Sequence, residues 1–155
     1  RNEVMNLLVE DSLDRVRGEA AHKGIGLNND VQLDDVLMVD KDLLSIALNN
    51  LLMNAVSYME KGSIRITAHI EEDQYHLVVS DSGPGLGPET LARIERVRDH
   101  TEREGVRTDG ANAKGLGFVI IAGIMELLSG RFKVSTSAKG TTVVLRLPIK
   151  PEANT

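Results

Sequence analysis

Asn50 and Asn54 stand one helical turn apart within KDLLSIALNNLLMNAVSYME, the stretch from Lys41 to Glu60. At about 100° per residue, Leu43, Leu44, Ala47, Leu48, Leu51, Leu52, Ala55, Tyr58 and Met59 fall on one broad face, as a helix lying on a sheet requires. Asn54 lies just inside the edge of that face, and Asn50 is only about 40° away around the axis. Two carboxamides therefore project together from the seam between core and solvent. An amide buried there without a partner costs roughly 1–3 kcal/mol, so it must bind neighbouring backbone or a ligand. On these residues alone the two readings are equally good.

Two glycine clusters add to the pair. Asp81-Ser82-Gly83-Pro84-Gly85-Leu86-Gly87 follows an alternating apolar stretch. Glycines at a strand end permit a sharp turn and close approach of a flat ligand, while the carboxylate can accept from an amino group. Many ordinary turns share the pattern. Lys114-Gly115-Leu116-Gly117-Phe118 opens an apolar helical stretch, where free backbone amides and a lysine could receive phosphate oxygens. Close helix packing would explain the same glycines. Neither cluster fits a P-loop, which needs Gly-Lys-Ser/Thr, nor the strand–GxGxxG–helix order of a dinucleotide site.

The elements that must position these residues follow from pattern and punctuation. The spacing predicts an amphipathic helix over Asn2–His22 closed by Gly24 and Gly26, then short strands over Ile25–Val31 and Val36–Val39. Asp40 is placed to cap the central helix and Gly62 to end it. Ser63–Ile70 and Tyr75–Ser80 read as a hairpin around Glu71-Glu72-Asp73-Gln74, and Pro88–Val97 as a short helix. Between Arg98 and Asn112 only Val106 is a sizeable apolar residue, so that stretch is expected to be mobile. Gly115–Leu128 reads as a second core helix, and Arg131–Ser137 with Thr141–Ile149 as a terminal hairpin. One domain over 1–150 with a frayed tail over 151–155 results.

Composition narrows the function. The chain of 155 residues has 41% hydrophobic but only 3% aromatic residues, so its single core is aliphatic. A net charge of −5 speaks against general nucleic-acid binding. No cysteine is present, which excludes disulfides, thiolate metal sites and cysteine nucleophiles and leaves the redox compartment open. No apolar run approaches the roughly 20 residues of a membrane helix. The start at Arg1 suggests a fragment of a longer polypeptide.

In order and spacing, Asn50 and Asn54, then Asp81-Ser82-Gly83-Pro84-Gly85, then a polar stretch, then Gly115-Leu116-Gly117-Phe118 resemble the catalytic ATP-binding domain of sensor histidine kinases. That domain shares the Bergerat fold with gyrase B, Hsp90 and MutL. The resemblance extends to Val39-Asp40 and to the ending Gly140-Thr141-Thr142-Val143-Val144-Leu145-Arg146-Leu147-Pro148. It implies an α/β, two-layer α+β sandwich, a mixed five-stranded sheet covered on one face by three helices, with a mobile ATP lid over Arg98–Lys114.

The resemblance also implies roles. Asn54 would hold Mg²⁺ through its amide oxygen, with Asn50 beside the phosphates and the metal-bound water. Asp81 would accept from the adenine amino group, supported by Thr141, while Gly83, Gly85 and Leu86 border the ring. Lys114, Gly115, Leu116 and Gly117 would meet the phosphates. The implied activity is transfer of the ATP γ-phosphoryl group to a histidine on a helical dimerisation domain, in two-component signalling through a response-regulator receiver. The expected location is cytoplasmic, alone or as the cytoplasmic part of a membrane-anchored sensor. The fragment itself is expected to be a monomer.

Departures qualify the match. Ser57 stands where the family usually has Lys or Arg, leaving Lys61 or Lys114 to supply that charge. Ala113 and Lys114 replace the usual glycine and small residue, and the phenylalanine-rich box before the lid is absent. These losses favour a second reading, a nucleotide-free domain of the same fold that docks a response regulator. An anti-sigma-factor-type serine kinase is a third. His22, His69, His76 and His100 lie in unrelated contexts, none in the His-Glu-Leu/Ile-Arg setting of a phosphoacceptor. Asn50 occupies the position of the water-activating Glu of the related ATPases, and an amide cannot serve as that base. Little intrinsic hydrolysis is therefore expected.

Overall fold

The computed structural model describes the backbone of residues 1–99 and 113–149 and the side chains of 1–99 and 117–149. The expected lid over Arg98–Lys114 lies mostly outside the described residues, as do His100, Val106 and the tail over 151–155. Strands β2 (Ile25–Asn29), β4 (Gly62–Glu71), β5 (Gln74–Asp81), β7 (Gly140–Pro148) and β6 (Arg131–Ser137) form one mixed sheet in that spatial order. Only the β2–β4 pairing is parallel. A separate antiparallel pair joins β1 (Asn2–Val4) to β3 (Val36–Met38).

Strand alternation buries one face of the sheet. Ile64 and Ile66, Tyr75, Leu77 and Val79, Phe132 and Val134, and Val143, Leu145 and Leu147 point inward. They share a single core with the apolar sides of α1 (Met5–Asp14), α3 (Lys41–Tyr58) and α5 (Ala113–Leu127). Two further helices, α2 (Arg17–Lys23) and α4 (Pro88–Arg98), complete the helical layer. None of the described helices is long and apolar enough to cross a membrane.

The first helix is not continuous over Asn2–His22. Asn2–Val4 pairs with β3 instead, and Met5 N–H donates to Asp35 O at 3.0 Å, satisfying an amide at the helix start. Buried Val16, with φ −114° and ψ 1°, interrupts the helix between Asp14 and Arg17. Strand β2 stops at Asn29 rather than Val31. The Asn29 carboxamide binds Asn6 O and Glu10 on α1, and its oxygen accepts from Val31 N–H in a tight turn.

The central helix keeps its expected face: Leu44, Ala47, Leu48, Leu51, Leu52, Ala55 and Val56 are buried. Asp40 caps it, Oδ1 accepting from Leu43 N–H at 3.1 Å. Its end differs from expectation. The helix stops at Tyr58, Met59 is extended, and Gly62, with φ +117°, is the first residue of β4. Lys23 takes over the terminating role, its ammonium donating to the carbonyls of Val56, Ser57 and Met59 at 2.8, 3.1 and 3.1 Å.

The β4–β5 hairpin is tighter than expected. Glu71 pairs with Gln74, leaving a two-residue turn at Glu72-Asp73 with both φ values positive. That register brings His69 opposite His76 on the open face of the sheet, rather than in the unrelated contexts read from the sequence. On the inner face it delivers Asp81 to the end of β5, opposite Thr141 at the start of β7.

Candidate functional site

Asp81 is held from three sides. Its Oδ1 accepts from Gly83 N–H at 2.8 Å and from Thr141 N–H at 3.3 Å, and its Oδ2 accepts from the Tyr58 hydroxyl at 2.5 Å. The first bond closes an Asx turn that needs a small residue: a Cβ on Gly83 would stand 2.8 Å from Met59 Cγ and 3.1 Å from Asp81 Oδ1. The second is available because Gly140 starts β7 directly against the Asp81 carbonyl, where any Cβ would come within 1.9 Å. The third comes from the last turn of α3.

A hydroxyl chain extends this arrangement. Buried Thr141 and half-buried Thr136 share a hydrogen bond at 3.0 Å, and Thr136 Oγ1 accepts from Leu86 N–H at 2.8 Å. The loop after β5 is thereby tied to the β6–β7 hairpin. Gly85 serves the same join: its φ is +83°, and a Cβ would lie 2.0 Å from Ser137 O.

Tyr58 is the contributor the sequence reading missed, having assigned it to the core face alone. Burial first, and then the hydrogen bond and negative charge of Asp81, raise its ionisation well above the ordinary tyrosine range, while Thr141 acts in the opposite direction. It remains a neutral donor at physiological pH. The signal was present: a tyrosine on a buried helix face needs a partner for its hydroxyl.

Asn54 lies on the opposite wall. Its Nδ2 is buried without a hydrogen-bond partner, one of three such side-chain atoms among the described residues, with Ser12 Oγ and Asn49 Oδ1. Gly117 of α5 packs against it so closely that a Cβ there would stand 2.5 Å from that nitrogen. The Asn54 carboxamide and the Asp81 carboxylate both face a small cavity of about 20 Å³, with Leu86, Phe118, Tyr58 and Thr141 also in its wall. This volume holds about one water.

Of the expected residues, Asn54, Asp81, Leu86 and Thr141 are thus brought together. Asn50 is not in the cavity wall; its Nδ2 donates to Ile46 O one turn back, at 2.8 Å. Ser57 likewise bonds within the helix, its Oγ donating to Asn54 O at 3.0 Å. Helix α5 begins at Ala113, so Gly115 lies in the first turn, where amides are free, and Gly117 lies within the intrahelical ladder. The side chains of Lys114 and Leu116 are outside the described residues. Larger open clefts, about 590 Å³ beside Arg131 and Arg146 and about 750 Å³ beside Asp11 and Asn49, contain none of the expected set.

The donor set suits a nucleotide and its cation chemically. A fixed carboxylate at a strand end can accept from an exocyclic amino group, apolar Leu86 and Phe118 can border a ring, and the Asn54 carboxamide carries a neutral oxygen of the kind hard cations take. The fit in volume is incomplete, because a ring requires a cavity of about 20 Å³ to widen.

Residues 39–151 match the family model described as histidine kinase-, DNA gyrase B- and HSP90-like ATPase. The chain is 32% identical over 136 residues to the autoinducer 2 sensor kinase/phosphatase LuxQ of Vibrio parahaemolyticus, covering 83% of this chain and 16% of that protein. It is 29% identical over 147 residues to the sensor protein kinase GraS of Staphylococcus aureus, covering 94% of this chain and 41% of that one. The chain thus spans less than half the length of these relatives. Among solved structures, the catalytic domain of histidine kinase ThkA superposes with a TM-score of 0.79 at 20% identity, covering 98% of this chain and 97% of that one. Full-length ShkA in complex with AMPPNP gives 0.79 at 23% identity, over 99% of this chain and 32% of that one.

Proposed function

The chain belongs to the family of histidine kinase-, DNA gyrase B- and HSP90-like ATPases, and from that premise we propose that it binds Mg-ATP and donates the γ-phosphoryl group to a histidine on a separate helical dimerisation domain. The single observation that carries the reading is the facing pair of Asp81, a carboxylate fixed by Gly83, Thr141 and Tyr58, and Asn54, a half-buried carboxamide whose buried Nδ2 has no hydrogen-bond partner.

In this reading Asp81 accepts from the adenine amino group through the face of Oδ2 not used by Tyr58, and Thr141 keeps the carboxylate aimed into the cavity. Leu86 and Phe118 border the ring, and Gly83 and Gly85 shape the loop that carries it. Asn54 offers its oxygen to Mg²⁺, which when bound neutralises phosphate charge. Gly117, lacking a side chain, leaves room for that carboxamide. The free amides at the start of α5, Gly115 among them, receive phosphate oxygens with Lys114 and Leu116 in the same turn. Asn50 turns from Ile46 O towards the phosphates once they arrive. Catalysis of this kind rests on positioning and charge neutralisation, and the acceptor histidine is brought in line by domain movement. The downstream partner is a response-regulator receiver.

The narrow cavity and Ser57, whose hydroxyl is spent on its own helix, favour the second reading: a nucleotide-free domain that docks a receiver. Calorimetric titration with ADP and a non-hydrolysable ATP analogue, with and without Mg²⁺, separates the two. Binding that tightens with Mg²⁺ is expected. Absence of heat and of thermal stabilisation at millimolar nucleotide would overturn the kinase reading in favour of the docking module.

A further inference from the structure

The outer face of the β4–β5 hairpin carries a group of side chains that the nucleotide reading leaves unused. His69 and His76 are directly opposed across the two strands, with ring centroids 4.8 Å apart and ring planes 29° from parallel. Glu71, two residues after His69 and so on the same face, stands with Oε1 3.2 Å from His69 Nε2. One ligating atom from each of the three lies within 4.8 Å of the others. We propose that His69, His76 and Glu71 form a binding site for a borderline divalent transition-metal ion of the Zn²⁺ class.

The geometry needs little adjustment. Donors sharing one tetrahedral Zn²⁺ at about 2.0–2.2 Å lie roughly 3.3 Å apart. His69 and Glu71 already have that spacing. His76, which is half-exposed, closes the remaining gap by rotating its ring out of the stack with His69. Solvent supplies the fourth position. The backbone beneath is fixed, because the two-residue turn at Glu72-Asp73 pins the register that sets His69 against His76.

Chemistry selects the ion. Two imidazoles with one carboxylate suit Zn²⁺ and its neighbours and disfavour Mg²⁺, which prefers an all-oxygen shell. The site is therefore distinct in ion type, as well as in sheet face, from the one assigned to Asn54. The surrounding charges are mixed. Glu72 and Asp73 in the turn add negative potential, while Arg146, paired opposite His76, and Arg131 beyond it oppose a cation. A site of modest affinity follows. Once filled, it cross-links β4 to β5 near the turn.

The test is calorimetric titration of the tag-free chain with Zn²⁺, with thermal melting in parallel. One-to-one saturable binding and a raised melting temperature are expected, unaffected by excess Mg²⁺. His69→Ala and His76→Ala should each abolish the binding, Glu71→Gln should weaken it several-fold, and His22→Ala should leave it unchanged. Imidazole resonances of the unsubstituted chain provide a readout that does not depend on any variant folding: those of His69 and His76 should shift together with added Zn²⁺ while that of His22 stays in place. Equal binding by a His69→Ala/His76→Ala double variant, or Zn²⁺ shifts confined to other histidines, would overturn the assignment. So would the absence of saturable binding.

Discussion

The hydroxyl of Tyr58, in the last turn of α3, donates to Asp81 Oδ2 at the end of β5, and this contact joins the helical layer to the sheet at the candidate site. Hydrogen bonds to a charged group contribute about 1.5–3 kcal/mol, so Tyr58→Phe should lower unfolding stability by roughly that amount in urea titration. The pH dependence has a definite sign. Because the folded state holds the Tyr58 proton more tightly than the unfolded chain does, the stabilisation is complete below the unfolded tyrosine value of about 10 and is lost as pH rises above it. Tyr75, raised chiefly by burial and then by Asp35, behaves in the same way. Stability should therefore fall above about pH 10, less steeply in Tyr58→Phe. An unchanged alkaline slope in that variant would show that the folded state holds the Tyr58 proton no more tightly than the unfolded chain, against both its burial and its bond to Asp81.

Asp81→Asn and Asn54→Ala separate the two ends of the proposed nucleotide site. The first keeps the shape of the side chain but replaces an acceptor with an amide, so adenine nucleotide affinity should fall at least tenfold in calorimetry while the fold persists. The second removes a buried amide nitrogen that has no partner and gains about 0.6 kcal/mol of helix propensity, so melting temperature should hold or rise while Mg²⁺ no longer tightens binding. Equal nucleotide affinity in both variants would refute the site.

Most of this arrangement was legible in the sequence because the central helix and the longer strands carry a clear period. The face of α3, the Asp40 cap, the register-bearing alternation of β5 and β7, and the convergence of Asn54, Asp81 and Thr141 were all available from spacing and resemblance. What escaped was set by contacts between distant segments. Asn2–Val4 has no strand signature of its own and becomes a strand only by pairing with β3. Gly62 looked like a helix stop because glycine favours positive φ, and it does have positive φ, but the chain uses it to start β4. His69 and His76 became neighbours only once the turn was known to be two residues long.

Two glycines that look alike in sequence should respond differently to alanine. At Gly85 the added Cβ would meet the Ser137 carbonyl at 2.0 Å, and φ is +83°. Backbone cannot easily yield there, so Gly85→Ala should destabilise the fold by roughly 2 kcal/mol or more. At Gly117 the nearest atoms to the Cβ would be those of the Asn54 carboxamide, its nitrogen at 2.5 Å. That side chain can swing away, so Gly117→Ala should fold and melt nearly normally yet reproduce the Mg²⁺ defect of Asn54→Ala. Matched melting curves and nucleotide titrations decide this. A large stability loss in Gly117→Ala would mean that α3 and α5 cannot separate there.

Lys23 offers the clearest test of how α3 is terminated. The helix lacks a glycine cap, and the Lys23 ammonium donates to the carbonyls of Val56, Ser57 and Met59. Positive charge at a helix C-terminus is favourable, and these carbonyls otherwise have no intrahelical donor. Lys23→Met preserves most of the aliphatic stem and removes the charge, so the loss reports the cap together with a small term from the exposed ion pair with Glu19 at 3.9 Å. It should amount to roughly 1–3 kcal/mol, the cost of orphaned polar groups. Because Tyr58 lies within the capped turn, fraying there should also loosen its bond to Asp81. Nucleotide affinity should then fall several-fold, even though Lys23 is not in the cavity wall. Amide hydrogen exchange gives the direct readout, with faster exchange of the last turn of α3 expected in Lys23→Met and the N-terminal half unchanged. If exchange in that turn is unaltered, the three carbonyls are satisfied by solvent and Lys23 contributes only its surface charge.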